Sequence, residues 1–575
     1  MPMLQKKPKT DVLNLLNYSM RKLLFIFLLF PIVGIAQNWE QIIIASGTSS
    51  SNPMFLTEFN GELYFSATGT NVSGIGNELY KTNGAQAGTS LVVNLNPNFS
   101  GSSYPSNFTV FNGELYFTAE DGIHGRELFK TDGTTISLVK DINVGSGSSS
   151  NHSANMMAML EVNGFLYFFA EDTSGTGYDL WKTDGTEIGT VKVSELNINE
   201  SSGLNLNFKK LGNDLYFVYT DNNTGHRQIF KYDVLTNNNT SVLDVYPSNN
   251  TSGYLYLTIF DNKLFTVADG KLYYTNGATN NFVTLGTTGI TSFDKLTVLN
   301  DAIFFFGNTA TYGNQDVYKC YYSVADNDYK VEIVYNFNAT GNNFLTPVAG
   351  YLADDGNPYF TVLNNKLYFA AKEQSSPNGG LVYQIYETDG ITTQVSIPVT
   401  HSGSPTSRPI YWITANDNKL YFLMSGDNSP EQFWEANPTN GNFTQLSSYT
   451  GPTTQPRQIF TRPLKSWNNE MYVEGTTLAE GYELWKFGTG TLGIDEVTLE
   501  DKIKIYPNPT QDYVKLTIEN IDAYQIAVFN AVGQEIKLRI NNETIDFTSV
   551  PEGIYYITIS NSTTIKKITQ KIMKK

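Results

Sequence analysis

The residues of this 575-residue chain whose types could do chemistry are few and scattered. Four histidines, His124, His152, His226 and His401, lie far apart with no metal-ligand spacing among them. His124 and His226 sit in matching segments, Ile123-His124-Gly125-Arg126 and Gly225-His226-Arg227, which suit either exposed turns or a repeated polar contact. Acidic pairs at Glu120-Asp121, Glu171-Asp172 and Asp354-Asp355, with Asp326-Asn327-Asp328, could take calcium. None follows an EF-hand loop, however, and carboxylates in β-turns ordinarily cap backbone N–H groups. Beyond that calcium option no cofactor is implied. The single cysteine, Cys320, excludes an intramolecular disulfide and is expected to be a partly buried apolar side chain. G-x-S-x-G, H-E-x-x-H, P-loop and Cys-His patterns are absent, so no catalytic residue is assigned. A pair of glycosidase carboxylates could still meet between distant segments, unseen in sequence.

The elements that would position such residues are far more legible. Phe111–Thr134 reads F-N-G-E-L-Y-F-T-A-E-D-G-I-H-G-R-E-L-F-K-T-D-G-T, two β-rich segments bracketed by Asn-Gly and Asp-Gly turn signals. Its Leu-Tyr-Phe step recurs nine times, at Tyr64, Tyr116, Tyr167, Tyr216, Phe265, Phe304, Tyr368, Tyr421 and Tyr472, with spacings of 39 to 64 residues. Every copy is preceded by two residues drawn from Gly, Asn and Asp, which tolerate left-handed backbone angles. A second aromatic step follows, such as Leu79-Tyr80 or Leu180-Trp181, then often Thr-Asp-Gly, then an apolar strand such as Ile136–Ile142 or Val331–Phe337.

Four short strands per unit make a propeller blade. Three consecutive apolar residues need burial on both strand faces, which face-to-face blades supply; an open β-solenoid usually has shorter, more regular rungs. The sequence therefore predicts an all-β chain whose residues 37–487 form a β-propeller of nine blades, or eight if the irregular fifth and sixth units merge. The ninth unit lacks a fourth strand, and Glu40–Ala45 offers a spare one that would close the ring and remove two sheet edges.

Charge and termini set the address. Charged residues are 16% of the chain and the net charge is −17, which argues against a nucleic-acid partner. Arg21-Lys22, an apolar run Leu23–Ile35 and small residues before Ala36 read as a signal peptide over residues 1–36. Its true start is Met20 if residues 1–19 are an over-extension, and cleavage falls between Ala36 and Gln37. The run is short for a membrane span of about 20 residues, so membrane association is expected only through export. Residues 488–501 read as a linker. Residues 502–575 carry seven strand signals, Glu535–Ile540 among them, and the bend Tyr506-Pro507-Asn508-Pro509, and predict a small Ig-like antiparallel β-sandwich.

Two resemblances sharpen this reading. Glu127–Thr134 (E-L-F-K-T-D-G-T) and Asp179–Thr186 (D-L-W-K-T-D-G-T) resemble the ELWxxDGT repeats of secreted bacterial proteins, which imply propeller-like structure and carry no catalytic residues to transfer. Thr131-Asp132-Gly133-Thr134 also resembles the Asp-box turn of sialidases but lacks its spaced Ser and Trp. The C-terminal stretch resembles the type A sorting domain of the Bacteroidetes type IX secretion system. The resemblance rests on Tyr506–Thr510, Val528–Gly533, Pro551–Tyr555 with Gly553, and the basic end Lys566-Lys567 to Lys574-Lys575. It implies the type IX secretion machinery as a partner and a secreted or outer-surface location. The expected function is an exported, non-enzymatic binding or adhesion propeller with a glycan or protein ligand. The alternatives are a polysaccharide-active enzyme on the same scaffold and a purely structural surface component.

Overall fold

A computed structural model describes residues 37–69, 75–98, 101–144, 157–173, 176–198, 208–220, 227–244, 257–268, 271–277, 283–284, 290–293, 296–309, 315–336, 360–374, 381–398, 410–426, 429–447, 458–459, 465–477, 481–489, 504–506, 510–517, 524–530, 534–541, 544–561 and 567–575. The expected signal peptide with Ala36, and the expected linker from residue 490 on, lie outside them. Backbone contacts separate Gln37–Thr489 from Gly490–Lys575.

Among the described residues of the first unit the strands form nine antiparallel sheets, here numbered as blades 1 to 9 in order of their Leu-Tyr-Phe steps. Blade 1 is typical: Met54–Phe59, Glu62–Thr68, Asn77–Thr82 and Ser90–Val93 pair in chain order. In blades 6 and 9 the first strand is broken in two, at Ile290–Phe293 with Thr297–Leu299 and at Gln458–Ile459 with Lys465–Trp467. The fifth unit keeps a sheet of its own despite its clipped hairpin, so the count is nine. First strands lie side by side between blades 1 and 2, 2 and 3, 3 and 4, 4 and 5, and 7 and 8, which places them at the inner edge of the ring. The Leu-Tyr-Phe strand is buried on both faces: Leu63, Tyr64 and Phe65 are all inaccessible, as are Leu115, Tyr116 and Phe117. Each such side chain contributes roughly 1.5–3 kcal/mol of apolar burial.

The turns follow their residue types. Seven of the nine turns before Leu-Tyr-Phe have positive φ at both central residues, the type I′ pattern. At Gly212-Asn213 and Asn300-Asp301 only the first is left-handed, the type II′ pattern. The Thr-Asp-Gly turn is a contact between blades as well as a turn. The hydroxyl oxygens of Thr82, Thr131 and Thr183 accept the N–H of Gly84, Gly133 and Gly185 at 3.0, 3.0 and 2.9 Å. Gly84, at φ +93°, sits so close over the tyrosine of the preceding blade that an added Cβ would lie 2.7 Å from Tyr472 Oη. Gly390 meets Phe304 in the same way. In blades 4 and 9, which lack Thr-Asp-Gly, a ring takes the threonine's place and packs against the same neighbour, Tyr232 on Tyr167 and Phe487 on Tyr421; blades 6 and 8 have Cys320 and Ala436 there.

A cross-strand ion pair repeats as well. Lys81–Glu62, Lys130–Glu114 and Lys231–Asp214 pair at 2.8, 2.9 and 2.6 Å. In blades 7 and 8 the signs exchange, with Lys366–Glu387 at 2.6 Å and Lys419–Glu435 at 2.8 Å. Opposite charge at these two places is retained, although a half-exposed pair is worth only about 1 kcal/mol or less.

The N-terminal strand closes the ring, but it is Gln37–Ile42 and not Glu40–Ala45. It pairs antiparallel with Glu483–Thr489, from Gln37 opposite Thr489 to Ile42 opposite Leu484. The shift has a physical reason: Ile44 and Ala45 leave the ladder because the Glu483 carboxylate takes their N–H groups at 2.8 and 3.2 Å. For the same reason the last strand runs two residues past the expected boundary at 487, since Gln37 and Asn38 need partners. Trp39 seals the seam, with its ring 5.0 Å from Phe487 and 5.4 Å from Phe433 and its Nε1 donating to Leu446 O at 2.7 Å. Cys320 proves fully buried, not partly, and burial pushes its thiol up to about 12.

The C-terminal unit is a two-sheet sandwich. Lys504–Tyr506, Tyr513–Thr517, Thr544–Asp546 and Ile540–Asn541 form one sheet; Glu535–Ile536, Tyr524–Asn530, Gly553–Asn561 and Lys567–Lys574 form the other. The expected single strand Glu535–Ile540 is two short ones, because the chain crosses there from one sheet to the other. Val514, Leu516 and Ile545 meet Val528, Ile557, Ile559 and Ile572 in the core.

Two stability outcomes arise from the ring. Deleting residues 37–42 should expose an edge and remove Trp39, lowering the thermal midpoint by several degrees and promoting aggregation; an unchanged melt would argue that the ring does not depend on this strand. Gly84→Ala should destabilise by about 1–3 kcal/mol, more than Gly61→Ala, whose added Cβ meets nothing within 4 Å although its φ is +76°. Equal costs in denaturant melts would show that the tyrosine contact is unimportant.

Candidate functional site

The two rims of the ring differ in kind. One carries the Asn-Gly and Thr-Asp-Gly turns, short and dictated by the fold. The other carries the loops between second and third strands and the connections from one blade to the next, which vary in length and composition. That second rim is the candidate site, and its frame is a repeated buried acid.

The acid opens the third strand of a blade, two residues before the aromatic. Glu78 accepts N–H from Leu95 at 3.0 Å and from Ser103 at 3.2 Å, with the Ser103 hydroxyl at 2.5 Å. Glu127 accepts from Ile142 and Asn143 at 3.0 and 3.1 Å, and Asp179 from Leu196 and Asn197 at 2.6 and 3.0 Å. Glu483 does the same for Ile44 and Ala45 and also holds the Ser51 hydroxyl at 2.7 Å. Glu78, Glu127 and Glu483 thus fasten the segment after their blade's fourth strand, and Asp179 the end of that strand itself; Glu78 and Glu483 also hold the serine that starts the next blade. All four are essentially inaccessible. Burial pushes Glu127 up to about 8 against the pull of its two N–H donors, with the nearby Asp141 and Asp121 carboxylates adding to the rise. Burial raises Glu78 likewise. Blades 4, 7 and 8 place Gln228, Gln384 and Gln432 at the same position, as a neutral role permits.

The residues singled out by type are mostly engaged in local structure. Asp121 Oδ1 accepts the N–H of Ile123 and His124, both at 2.8 Å, and Oδ2 meets His124 Nδ1 at 2.6 Å. Burial alone would raise Asp121, but these donors hold it below the usual carboxylate range. Asp172 pairs with Lys192 at 2.8 Å and Asp326 with Lys330 at 2.7 Å, while Asp328 accepts from Tyr274 Oη at 3.2 Å. Glu171 takes the Gly177 N–H at 3.3 Å. Among the described residues no three of His, Cys, Asp and Glu converge on a cation site. His152, His226, His401 and Asp354-Asp355 lie outside the described residues. In the sequence, Glu78, Glu127, Asp179 and Glu483 stand out only as motif letters. The aliphatic-Asn pairs Leu95-Asn96, Ile142-Asn143 and Leu196-Asn197 are the signal that each has a fixed partner.

In the C-terminal unit Tyr506 ends the first strand opposite Lys515, Gly553 opens a strand opposite Lys574, and Lys567 stands opposite Ser560. Tyr555 is buried against Phe547 and donates to Pro551 O at 2.8 Å. Thr510 N donates to Met573 O and Lys575 N to Thr510 O, both at 2.9 Å, so Thr510 ties down the chain's last strand. Pro507, Asn508, Pro509, Gly533 and Lys566 lie outside the described residues, and Gln37 enters the ring as its first ladder residue.

Residues 504–575 match the family model of the secretion system C-terminal sorting domain. That match marks the chain as a secreted Bacteroidetes protein carried by the type IX route to the cell surface or medium. No helix among the described residues is long and apolar enough to cross a membrane. No curated protein matches the chain. Similar solved structures include the computationally designed Ika8 protein, at 12% identity over 67% of this chain and 96% of that one, TM-score 0.32. PorZ, an essential bacterial surface component of the type IX secretion system of Porphyromonas gingivalis, aligns at 9% identity over 93% and 100%, TM-score 0.23. Oligopeptidase B from Leishmania major aligns at 10% identity over 80% and 54%, TM-score 0.35. At these scores the likenesses bear no functional argument.

The acid frame gives a pH dependence of known sign. Glu127 holds a proton in the folded chain up to about pH 8 and in the unfolded chain only to its ordinary value of 4.5, so its contribution is full below 4.5 and is lost as pH rises to 8. Glu127→Gln should flatten the fall in stability across pH 5–8, by at most a few kcal/mol. An identical slope in the variant would mean that the carboxyl is already ionised at neutral pH.

Proposed function

We propose that the chain is an exported binding protein, displayed at or released from the cell surface, whose ring presents a ligand site on the rim of inter-blade connections. The observation that carries this is the division of labour between rims. Turn chemistry on one rim is absorbed by the fold, whereas the other holds exposed, varied side chains on a frame fastened by buried acids. The polysaccharide-active alternative draws on carboxylates, and those described on this rim support it poorly: Glu78, Glu127, Asp179 and Glu483 are inaccessible, and Asp121 is engaged by three donors. The strongly acidic ring, with 23 Lys and Arg against 43 Asp and Glu over residues 37–489, disfavours polyanionic ligands. The C-terminal sandwich has export as its role.

The purified secreted chain, offered to a glycan array and to a panel of extracellular proteins, should retain at least one ligand and release no product from it. Time-dependent cleavage of a bound polysaccharide would support the enzyme reading. Retention of nothing in either panel would favour a purely structural surface component.

A further inference from the structure

The connections into blades 1 and 2 hold a repeated five-residue segment. Ser51-Asn52-Pro53-Met54-Phe55 and Ser103-Tyr104-Pro105-Ser106-Asn107 correspond position by position and share the Ser and the Pro. Ser51 and Ser103 are fully buried and held by Glu483 and Glu78. Asn52 and Tyr104 donate their N–H to Tyr482 O and Asn77 O at 3.3 and 3.1 Å. Both first strands then bulge at the same place, between Met54 and Thr57 and between Ser106 and Thr109. The backbone angles agree closely: φ is 44° at Asn52 and at Tyr104, and 60° at Phe55 against 56° at Asn107.

Asparagine is the residue suited to such angles, and each segment has it at one of the two places. At the other place each segment has an aromatic: Tyr104 where blade 1 has Asn52, and Phe55 where blade 2 has Asn107. A bulky side chain with left-handed backbone is strained, and strain is ordinarily offset by burial. Here it is not, since Phe55 is 50% exposed and Tyr104 58% exposed. Two neighbouring blades, whose first strands lie side by side, therefore each hold out one aromatic ring at a cost the fold does not recover. The acid-held serines make both mounts rigid, so little freedom is lost when a ligand settles on them.

We infer that Phe55 and Tyr104 form a stacking platform for a neutral saccharide. This deepens the binding reading above and rests on it. Exposed aromatic faces suit the C–H faces of pyranose rings, and the amide of Asn52, at one of the left-handed places, suits ring hydroxyls. The acidic ring excludes polyanions and leaves an uncharged glycan as the occupant. A flat apolar peptide is the other partner that such rings could take, and the test separates the two.

The secreted full chain is titrated with cello-, xylo-, manno- and chito-hexaose, alongside the Phe55→Asn, Tyr104→Asn and double variants. The substitutions install the residue that the sister blade uses, so they should leave the thermal midpoint unchanged or raise it. They should weaken binding of the retained hexaose about ten-fold or more each. Undiminished binding in the double variant overturns the platform, and so does a midpoint that falls by several degrees, since the aromatics would then serve the fold. If none of the four sugars binds the parent chain, the saccharide assignment fails. If a protein from the extracellular panel is still retained in that case, the broader binding reading survives without it.

Discussion

A single carboxyl group, buried at the head of the third strand, fastens the outgoing chain of blades 1, 2, 3 and 9. Taking such a group out of water is unfavourable, and the fold offsets this with two or three N–H and O–H donors from one short segment. At Glu78 and Glu483 that segment includes the serine entering the next blade, so the acid sets the spacing between sheets as well as the path of the fourth strand. The ring closes with the same device. Glu78 reaches a partner 17 residues away, whereas Glu483 reaches one 439 residues away. By loop-closure entropy the longer contact is harder to form by about 3 kcal/mol. The Trp39 seam, with three aromatic neighbours, supplies apolar burial of that order. Ring closure is thus an ordinary junction reinforced at the one place where chain connectivity gives no help.

How much of this was legible in sequence depends on how local each cause is. The Asn-Gly turns, the doubly buried Leu-Tyr-Phe strand and the count of nine were readable because they depend on residue types within ten positions. The closing strand was readable in existence but not in extent, since its end at Ile42 is set by a carboxylate far along the chain. The split of the expected strand Glu535–Ile540 was hidden for a related reason. Its pattern is strand-like throughout, and only the partners of Glu535 and Ile540, Phe529 and Ile545, reveal that its two ends belong to different sheets.

The motif letters gain meaning in the same way. In Glu-Leu-Phe-Lys-Thr-Asp-Gly-Thr at Glu127–Thr134, the glutamate fastens the next connection and the leucine and phenylalanine fill the core. The lysine pairs across to Glu114, the threonine takes the glycine N–H, and the aspartate caps Thr134 and Thr135 at 2.8 Å each. The glycine itself leaves room for Tyr64 Oη, which stands 3.2 Å from where a Cβ would be. Each letter from the glutamate to the glycine has a structural task, which is why a strong repeat says so little about what the protein binds.

The informative residues are therefore those that break the repeat without a structural gain. Repetition makes such breaks measurable, because each blade shows what its neighbour would hold at the same backbone angle. Tyr232 and Phe487 also depart from the pattern, yet each is compensated by a ring from the preceding blade, so their departures are repairs. The sign exchange in blades 7 and 8 is compensated within the pair. Phe55 and Tyr104 have no such compensation: the angle is unsuited to them, the side chain stays in water, and asparagine stands at the sister position. Beside those compensated departures, an unbalanced exception on an exposed, rigidly mounted segment is where selection for contact with something outside the chain leaves its mark.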